Sequence, residues 1–195
     1  TTGAGTEPAT LSSLVNTSGA SSVNFDFTVT DDGATADTDP TLINQIVINQ
    51  GSNNSTVLSN WTQAIAGAEL SDGTNTLSGT VNAANITFAS LANTLTTDIG
   101  YVADNGTKTY TLKIWLNSTL GGTLPTNIDG KQFEFLVQTS GVSTNGTGSS
   151  VIAASQSVSS GASTNVVTVV ATQLAFVQNT TSPTGISTAM APAPT

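Results

Sequence analysis

Apolar and polar residues alternate with a period of two along much of the chain. In Ser22–Thr30, Val and Phe occupy every second position, and Asn, Asp and Thr fill the positions between them. Thr109–Asn117 repeats the pattern with Tyr, Leu and Ile, and Lys131–Thr139 repeats it with Phe and Val. Because successive side chains of a β-strand point to opposite faces, each segment is predicted to be a strand with one face in a core and one wet face.

Shorter segments rich in β-branched and apolar residues predict further strands between turn residues. These segments are Leu42–Asn49, Leu77–Val81, Asn85–Ala89, Ile99–Ala103, Val151–Ser159, Asn165–Thr172 and Leu174–Gln178, of which the last two form either one long strand or two. Helical spacing occurs only in Leu58–Ala68, where Leu58, Trp61 and Ile65 fall at i, i+3 and i+7. The spacing predicts a turn or two of helix at most, and a loop anchored by Trp61 is the alternative interpretation of that segment.

Regularly spaced short strands joined by turn residues predict an all-β fold. We expect an antiparallel β-sandwich, Ig-like or cadherin-like, of about nine or ten strands, with a closed barrel as the second choice. Residues 1–21 are predicted to be an N-terminal linker or a first strand, and residues 22–178 the β-sandwich module. Residues 179–195 contain Pro183, Pro192 and Pro194 and are predicted to be an extended C-terminal linker.

Composition narrows the chemistry available to this chain. Charged residues make up 8% of the 195 residues, against about 25% in an average globular protein, and the formal net charge is −9. The absence of His and Cys removes the commonest general base, a thiol nucleophile and the usual zinc ligands. With three Lys and no Arg, the chain lacks a basic footprint for nucleic acid or an anionic membrane. We therefore expect no enzymatic activity, no nucleic-acid partner and no membrane insertion.

One cluster of carboxylates is the main candidate for a binding site. Five of the 12 acidic residues fall within 14 positions: Asp26, Asp31, Asp32, Asp37 and Asp39. Ca²⁺ takes oxygen ligands from carboxylates on a loop, so Asp31, Asp32, Asp37 and Asp39 are predicted calcium ligands. The alternative is that these residues build turns through hydrogen bonds to the backbone. Asp72 and Asp104, in other turns, are expected near the same end of the sandwich.

Aromatic residues and glutamates offer two weaker candidate sites. Trp61 and Trp115, together with the Asp31–Asp39 loop, are the candidates for binding a carbohydrate or another surface. Trp115 falls on the polar face of its strand, where it is either partly covered or an exposed patch. Glu134 falls on the wet face of an alternating strand, which argues against a catalytic carboxylate pair in a cleft.

Several stretches resemble a known family. They are NFDFTVTDDGATADTDPTLINQIVINQG, WTQAIAGAELSDGTNTLSGTVNAANITF, YVADNGTKTYTLKIWLN, GTLPTNIDGKQFEF and VVTVVATQLAFV. Over residues 22–178 they are similar to repeat modules of giant secreted surface proteins of Bacteroidota, including gliding adhesins exported by the type IX system. The resemblance rests on strand and turn patterns. It implies a β-sandwich with an extracellular, repetitive and non-enzymatic structural role.

The leading hypothesis is a structural module or subunit of an extracellular surface filament or adhesin. Its partners would be identical or similar modules, joined either as covalent tandem repeats or by insertion of a terminal strand into a neighbouring sheet. The apolar segment Asn165–Gln178 is the predicted donor strand in the second case. A carbohydrate- or surface-binding adhesin module is the alternative function.

Overall fold

The computed structural model describes residues 7–31, 38–120, 127–150, 152 and 156–171. Within them lie eleven strands: β1 Thr10–Ser12, β2 Val23–Thr30, β3 Thr41–Gln50, β4 Ile65–Ser71, β5 Thr76–Val81, β6 Asn85–Ala89, β7 Tyr101–Val102, β8 Thr107–Leu116, β9 Phe135–Thr144, β10 Ser157–Ser159 and β11 Val166–Thr168. Single 3₁₀ turns lie at Ser18–Ala20, Thr56–Leu58 and Trp61–Gln63, and Leu120 has α-helical backbone. The prediction of an all-β, antiparallel sandwich is confirmed.

One continuous nine-stranded antiparallel sheet folds over to form the two layers of the sandwich. One layer has the strand order β2-β8-β4-β5, and the other has the order β6-β3-β9-β10, with β7 pairing with the start of β3. The hairpin strands β5 and β6 pair with each other at Thr80↔Thr87 and Val81↔Ile86, so hydrogen bonding continues from one layer to the other. β1 and β11 form a separate two-stranded parallel pair.

The space between the layers is filled mainly by aromatic and aliphatic side chains. Phe25 of β2 lies 6.3 Å from Phe135 of β9 between ring centroids, and the Trp61 ring lies 5.4 Å from the same Phe135. All three side chains are fully buried. Stacked and tilted aromatic pairs at these distances contribute about 0.5–1.5 kcal/mol beyond their buried area. The alternation of β2, β8 and β9 therefore directs one face of each strand into a common core.

In Leu58–Ala68 the structure has short 3₁₀ turns around buried Leu58 and Trp61, and a strand in place of helix from Ile65 onwards. A spacing of three residues brings side chains to one side of a 3₁₀ turn as well, because that helix has three residues per turn. β4 pairs with both β5 and β8, and these tertiary ladders outweigh the weak local pattern.

Candidate functional sites at the two ends of the sandwich

The sandwich has two chemically different ends, separated by the length of β8. The ten residues from Thr107 to Leu116 span about 30 Å as a strand. The acidic end, at Thr107, is defined by the loop residues Asp31, Asp39, Asp72, Asp98 and Asp104. The exit end, at Leu116, is defined by a groove that contains Leu14, Leu120, Ile128, Val169 and Val170.

Two of the predicted calcium ligands lie in described loops of the acidic end. Asp31 donates its backbone N–H to the Gly106 carbonyl at 2.9 Å, and its buried carboxylate accepts a 2.7 Å hydrogen bond from the Thr41 hydroxyl. Asp39 accepts a 2.7 Å hydrogen bond from the Ser150 hydroxyl on its backbone carbonyl. Both residues thus help to hold the loops that precede β3 and β8.

Asp32 and Asp37, the other two predicted ligands, lie outside the described residues. Among the residues that the structure describes, no three His, Cys, Asp or Glu side chains come together as a group that could hold a metal ion. Calcium binding by Asp31, Asp32, Asp37 and Asp39 stays a prediction. The bond between the Thr41 hydroxyl and the Asp31 carboxylate joins two side chains, so it differs from the backbone turn bonds of the alternative interpretation.

Asp72 organises the turn between β4 and β5. Its carboxylate accepts backbone N–H bonds from Thr74 at 3.0 Å and Asn75 at 2.6 Å, and it pairs with the Lys108 ammonium at 3.2 Å. Burial opposes the charged form, but the N–H groups of Asn75 and Thr74, the Asn75 amide and Lys108 together hold the pKa of Asp72 below its ordinary value. The carboxylate therefore stays ionised at neutral pH.

Asp98 closes a second tight turn beside Asp72. Its Oδ2 accepts the backbone N–H groups of Thr94 and Leu95 at 2.8 Å each, and its own N–H donates to the Leu95 carbonyl at 2.9 Å. The bond from Leu95 is the largest cause that lowers the pKa of Asp98. The turn presents the Leu95 side chain to solvent with 63% of its surface exposed. Leu95 is thus an exposed apolar side chain on a hydrogen-bonded turn.

Tyr110 and Asp104 lie behind the acidic loops. The Tyr110 hydroxyl donates to the Ile99 carbonyl at 2.8 Å, and burial, with the charge of Asp72, raises the pKa of Tyr110. Asp104, in the turn between β7 and β8, has a buried Oδ1 for which the described residues provide no hydrogen-bond donor. A single oxygen does not make a cation site, so Asp104 extends the acidic end without defining a ligand set.

The first and last described strands meet beside the exit end. β1 and β11 run parallel, with Thr10 opposite Val166 and Ser12 opposite Thr168. Hydrogen bonds continue past the ladder, from the Val170 N–H to the Ser13 hydroxyl at 3.0 Å. The other edge of β11 bonds to the segment before β9, and Val167 is buried. β11 is therefore held on both edges.

A buried amide pair ties β11 to β2. The Asn24 amide donates to Asn165 Oδ1 at 3.0 Å, and the Asn165 amide donates to the Asn24 carbonyl at 2.8 Å. Asn24 Oδ1 also accepts the Ile114 N–H at 2.8 Å, at the bulge in β2. Asn24 and Asp26 are both buried, so the prediction of a wet outer face for β2 is wrong along that part of the strand.

The groove of the exit end is apolar and open. Leu14, Val169 and Val170 are 48%, 46% and 41% exposed, and the cavity beside them has a volume of about 430 Å³. Leu120, Ile128 and several Ser and Asn residues complete its lining. None of the described residues that line it is charged. Sequence reasoning missed this groove because its lining comes from four separate stretches of the chain.

The two tryptophans differ in what they could bind. Trp61 is fully buried and donates its indole N–H to Asn54 Oδ1 at 3.2 Å, so it belongs to the core. Trp115 is half-buried and lies against Gly67 on the neighbouring strand, where an added Cβ would clash with the indole ring. The carbohydrate-binding alternative therefore retains Trp115 as its accessible Trp among the described residues.

Glu134 is buried, contrary to the wet-face prediction. Its side chain lies over Gly51, and its carboxylate accepts the Asn53 backbone N–H. The loop after β3 covers Glu134, which lies just before β9, in a contact between residues about 80 positions apart that alternation does not reveal. Glu134 anchors that loop to the segment before β9.

No helix in the described ranges is long and apolar enough to cross a membrane. No family model, curated protein or solved structure matches this chain.

Proposed function

We propose that this chain is a non-enzymatic structural module or subunit of an extracellular surface filament or adhesin. The observation that carries the proposal is the parallel pairing of β1 with β11. Antiparallel neighbours would bring the start of one strand beside the end of the other. In a parallel pair, the chain enters at one end of the pair and leaves at the other, as a module in a string requires.

The same pairing favours resistance to pulling. Tension applied before β1 and after β11 slides the two strands past each other, so the hydrogen bonds between them share the force. Tension applied to two points at the same end of the pair would open the bonds one after another. Because each bond contributes only about 0.5–1.5 kcal/mol net, breaking several together needs a higher force than breaking them singly.

The buried amide pair supports this role. Asn165 lies at the start of β11 and bonds at 2.7 Å through its N–H to the Pro8 carbonyl, just before β1. Its side chain bonds to Asn24 of β2. The first strand, the last strand and one of the two layers are thus joined at one buried point. A buried polar contact with every partner in place specifies one arrangement of strands.

The cis pairing of β11 favours the tandem architecture over strand donation. Val166–Thr168 lies within the predicted donor Asn165–Gln178, and it pairs with β1 of its own chain. Donating that part to a neighbour would break this ladder and expose Val167. Residues 172–178 of the predicted donor lie outside the described residues.

Composition supports an exterior location. Thr, Ser and Asn account for 76 of the 195 residues, and they keep strand surfaces hydrated with few charges. The chain has no thiol that could be oxidised, and three Lys with no Arg leave few sites for trypsin-type proteases. Treating intact producing cells with a broad-specificity protease should therefore remove the protein. Complete protection in intact cells, with digestion after lysis, would contradict an exterior location.

Single-molecule pulling between engineered cysteines tests the structural role, since the chain has no Cys of its own. Glu7→Cys with Val170→Cys applies tension across the parallel pair. Leu14→Cys with Val170→Cys is the matched control, in which both points lie at the exit end. We expect the first geometry to need at least about twice the unfolding force, because its bonds break together. Equal forces in the two geometries would contradict the proposal.

A further inference from the structure

We propose that the outer face of the sheet around Trp115 binds a neutral hexopyranose ring of an oligosaccharide. This binding role is added to the proposed structural role and does not depend on it. The site, called here the Trp115 platform, lies across three neighbouring strands, β8, β4 and β5. Its side chains are those of Trp115, Lys113, Glu69 and Ser78.

An aromatic ring forms the centre of the Trp115 platform. Trp115 lies on the outer face of β8, since its neighbours Ile114 and Leu116 are buried in the core. It pairs with Gly67 of β4, where an added Cβ would clash with Cζ2, Cε2 and Nε1 of the indole. The ring is therefore folded down over the backbone of β4, and part of its surface stays exposed. A ring fixed in this way loses little conformational entropy when a ligand stacks on it.

A row of polar side chains lies beside the ring. The register places Lys113 of β8 opposite Glu69 of β4, and Glu69 opposite Ser78 of β5. From the spacing of residues and strands in a sheet, the row lies about 7 Å from Trp115 along the strands and is about 10 Å wide. A hexopyranose stacked on the indole therefore has its hydroxyl edge next to this row.

The polar groups of the platform are not used by the fold. The described residues form no ion pair or hydrogen bond with the side chains of Lys113, Glu69 or Ser78. They also accept no hydrogen bond from the indole N–H of Trp115, which is not buried. The chain has three Lys and three Glu in total. One of each, side by side and unbound next to an accessible indole, indicates a site for an external polar ligand.

The combination of groups favours a neutral sugar. One face of a hexopyranose consists of C–H groups, which stack on the negative face of an aromatic ring. The hydroxyls at its edge both donate and accept, so they can bond to the Lys113 ammonium, the Glu69 carboxylate and the Ser78 hydroxyl. The two charges cancel, so a charged ligand gains no net attraction. Thr and Ser cover the strand surfaces around the platform, which therefore lacks the apolar centre of a protein–protein interface.

The open shape of the platform implies weak binding by one module. A flat surface covers one side of a sugar ring, whereas a pocket encloses most of its ligand. We expect a Kd of about 1 mM for a single module. Modules joined in a fibre would contact one polysaccharide at several platforms, which raises the overall affinity by about a hundredfold or more.

Saturation-transfer NMR with a panel of linear hexaoses tests the ligand class. The neutral members are built from glucose, mannose, galactose or N-acetylglucosamine, and the anionic member is built from galacturonic acid. We expect wild-type protein to bind at least one neutral hexaose with a Kd near about 1 mM, and the anionic hexaose more weakly. Folded protein that binds no neutral hexaose at about 10 mM, or that prefers the anionic one, would overturn the proposal.

Three variants locate the site. Trp115→Ala removes the stacking surface and should weaken binding of the best neutral hexaose about tenfold. Glu69→Ala keeps the indole in place and removes a charged acceptor, so it should weaken binding about fivefold or more. Thr109→Ala is the matched control, because Thr109 is exposed on the same face of β8, about 20 Å from Trp115. Its affinity should equal that of wild type.

Thermal melts separate loss of the site from loss of the fold. The Glu69 side chain makes no bond to the described residues, so Glu69→Ala should melt close to wild type. Should Trp115→Ala fail to fold, Glu69→Ala alone decides the test. Unchanged affinity in folded Glu69→Ala, or an equal loss in Thr109→Ala, would overturn the proposal. Neither result changes the unequal pulling forces expected across β1 and β11, so the proposed function is tested separately.

Discussion

The acidic end and the exit end are held together by different interactions. At the acidic end, carboxylates such as Asp72 and Asp98 accept backbone N–H groups and fix individual turns. At the exit end, backbone ladders and one buried amide pair join strands that are more than 140 residues apart. Contacts of the first kind shape loops locally. The backbone ladders and the amide pair decide how the first and last strands of the module are connected. Substitutions at the two ends should therefore lower the free energy of unfolding by different amounts.

The largest effect is expected from Asn165→Ala at the exit end. The change removes two buried hydrogen bonds to Asn24 and places an alanine at a φ of 49°. We expect a loss of about 2–4 kcal/mol in the free energy of unfolding, measured by urea denaturation. Asn165→Gly is the matched control, because it loses the same bonds without the strain of a positive φ. A loss below about 1 kcal/mol for Asn165→Ala would contradict the anchoring role.

A smaller effect is expected from Asp72→Asn at the acidic end. The change weakens the charge-assisted hydrogen bonds to Thr74 and Asn75 and the ion pair with Lys108. We expect it to lower the free energy of unfolding by about 1–2 kcal/mol, the contribution of one such bond. Asp129→Asn is the control from the exit end, where the exposed carboxylate accepts the Val169 N–H at 2.9 Å. It should cost less than about 0.5 kcal/mol.

The pH dependence sharpens the same comparison. Because the pKa of Asp72 in the folded protein lies below its ordinary value of 3.8, the unfolded state binds more protons in that range. The stability that Asp72 contributes is complete above the ordinary value and is lost as the pH falls through the lowered value. Urea midpoints between neutral and acidic pH should therefore fall less steeply in Asp72→Asn than in wild type. An identical slope in both proteins would contradict the assignment.

The smallest effect is expected from calcium. If Asp31, Asp32, Asp37 and Asp39 hold an ion, millimolar Ca²⁺ should stabilise the protein by about 1 kcal/mol, or roughly 2–4 °C in Tm, and a chelator should reverse the shift. Asp37→Asn should remove the shift, whereas Asp129→Asn at the exit end should keep it. A Tm that is the same with calcium and with chelator would exclude the site.

The alternation of apolar and polar residues was enough to predict a strand where one face of that strand meets the core. The alternation in β2, β8 and β9 predicted which of their apolar residues enter the core, because a period of two maps directly onto the two faces of a sheet. It failed at β4, where Gly67 and neighbouring small residues carry no alternation and the ladder to β8 decides the conformation. It also failed at Glu134 and Asn24, which a loop and the last strand cover from far along the chain.

The candidate sites also differ in how far the sequence alone reveals them. The aspartates of the acidic end were visible as a cluster, since Asp and Gly mark turns in any sequence. Leu95 carried a weak signal, as a lone leucine in a polar stretch that ends at Asp98. The groove of the exit end carried none, because Leu14, Ile128 and Val169 come from three segments that meet only in the folded chain.

The sequence by itself determined that this protein is all-β, that its core lies between alternating strands, and that its chemistry is poor in bases, nucleophiles and positive charge. These properties depend on residue type and short-range periodicity. Only the tertiary structure decided that the first and last strands run parallel, and that an exposed leucine and an apolar groove lie at opposite ends. Strand direction and the meeting of distant segments depend on long-range hydrogen bonds, which no local pattern encodes.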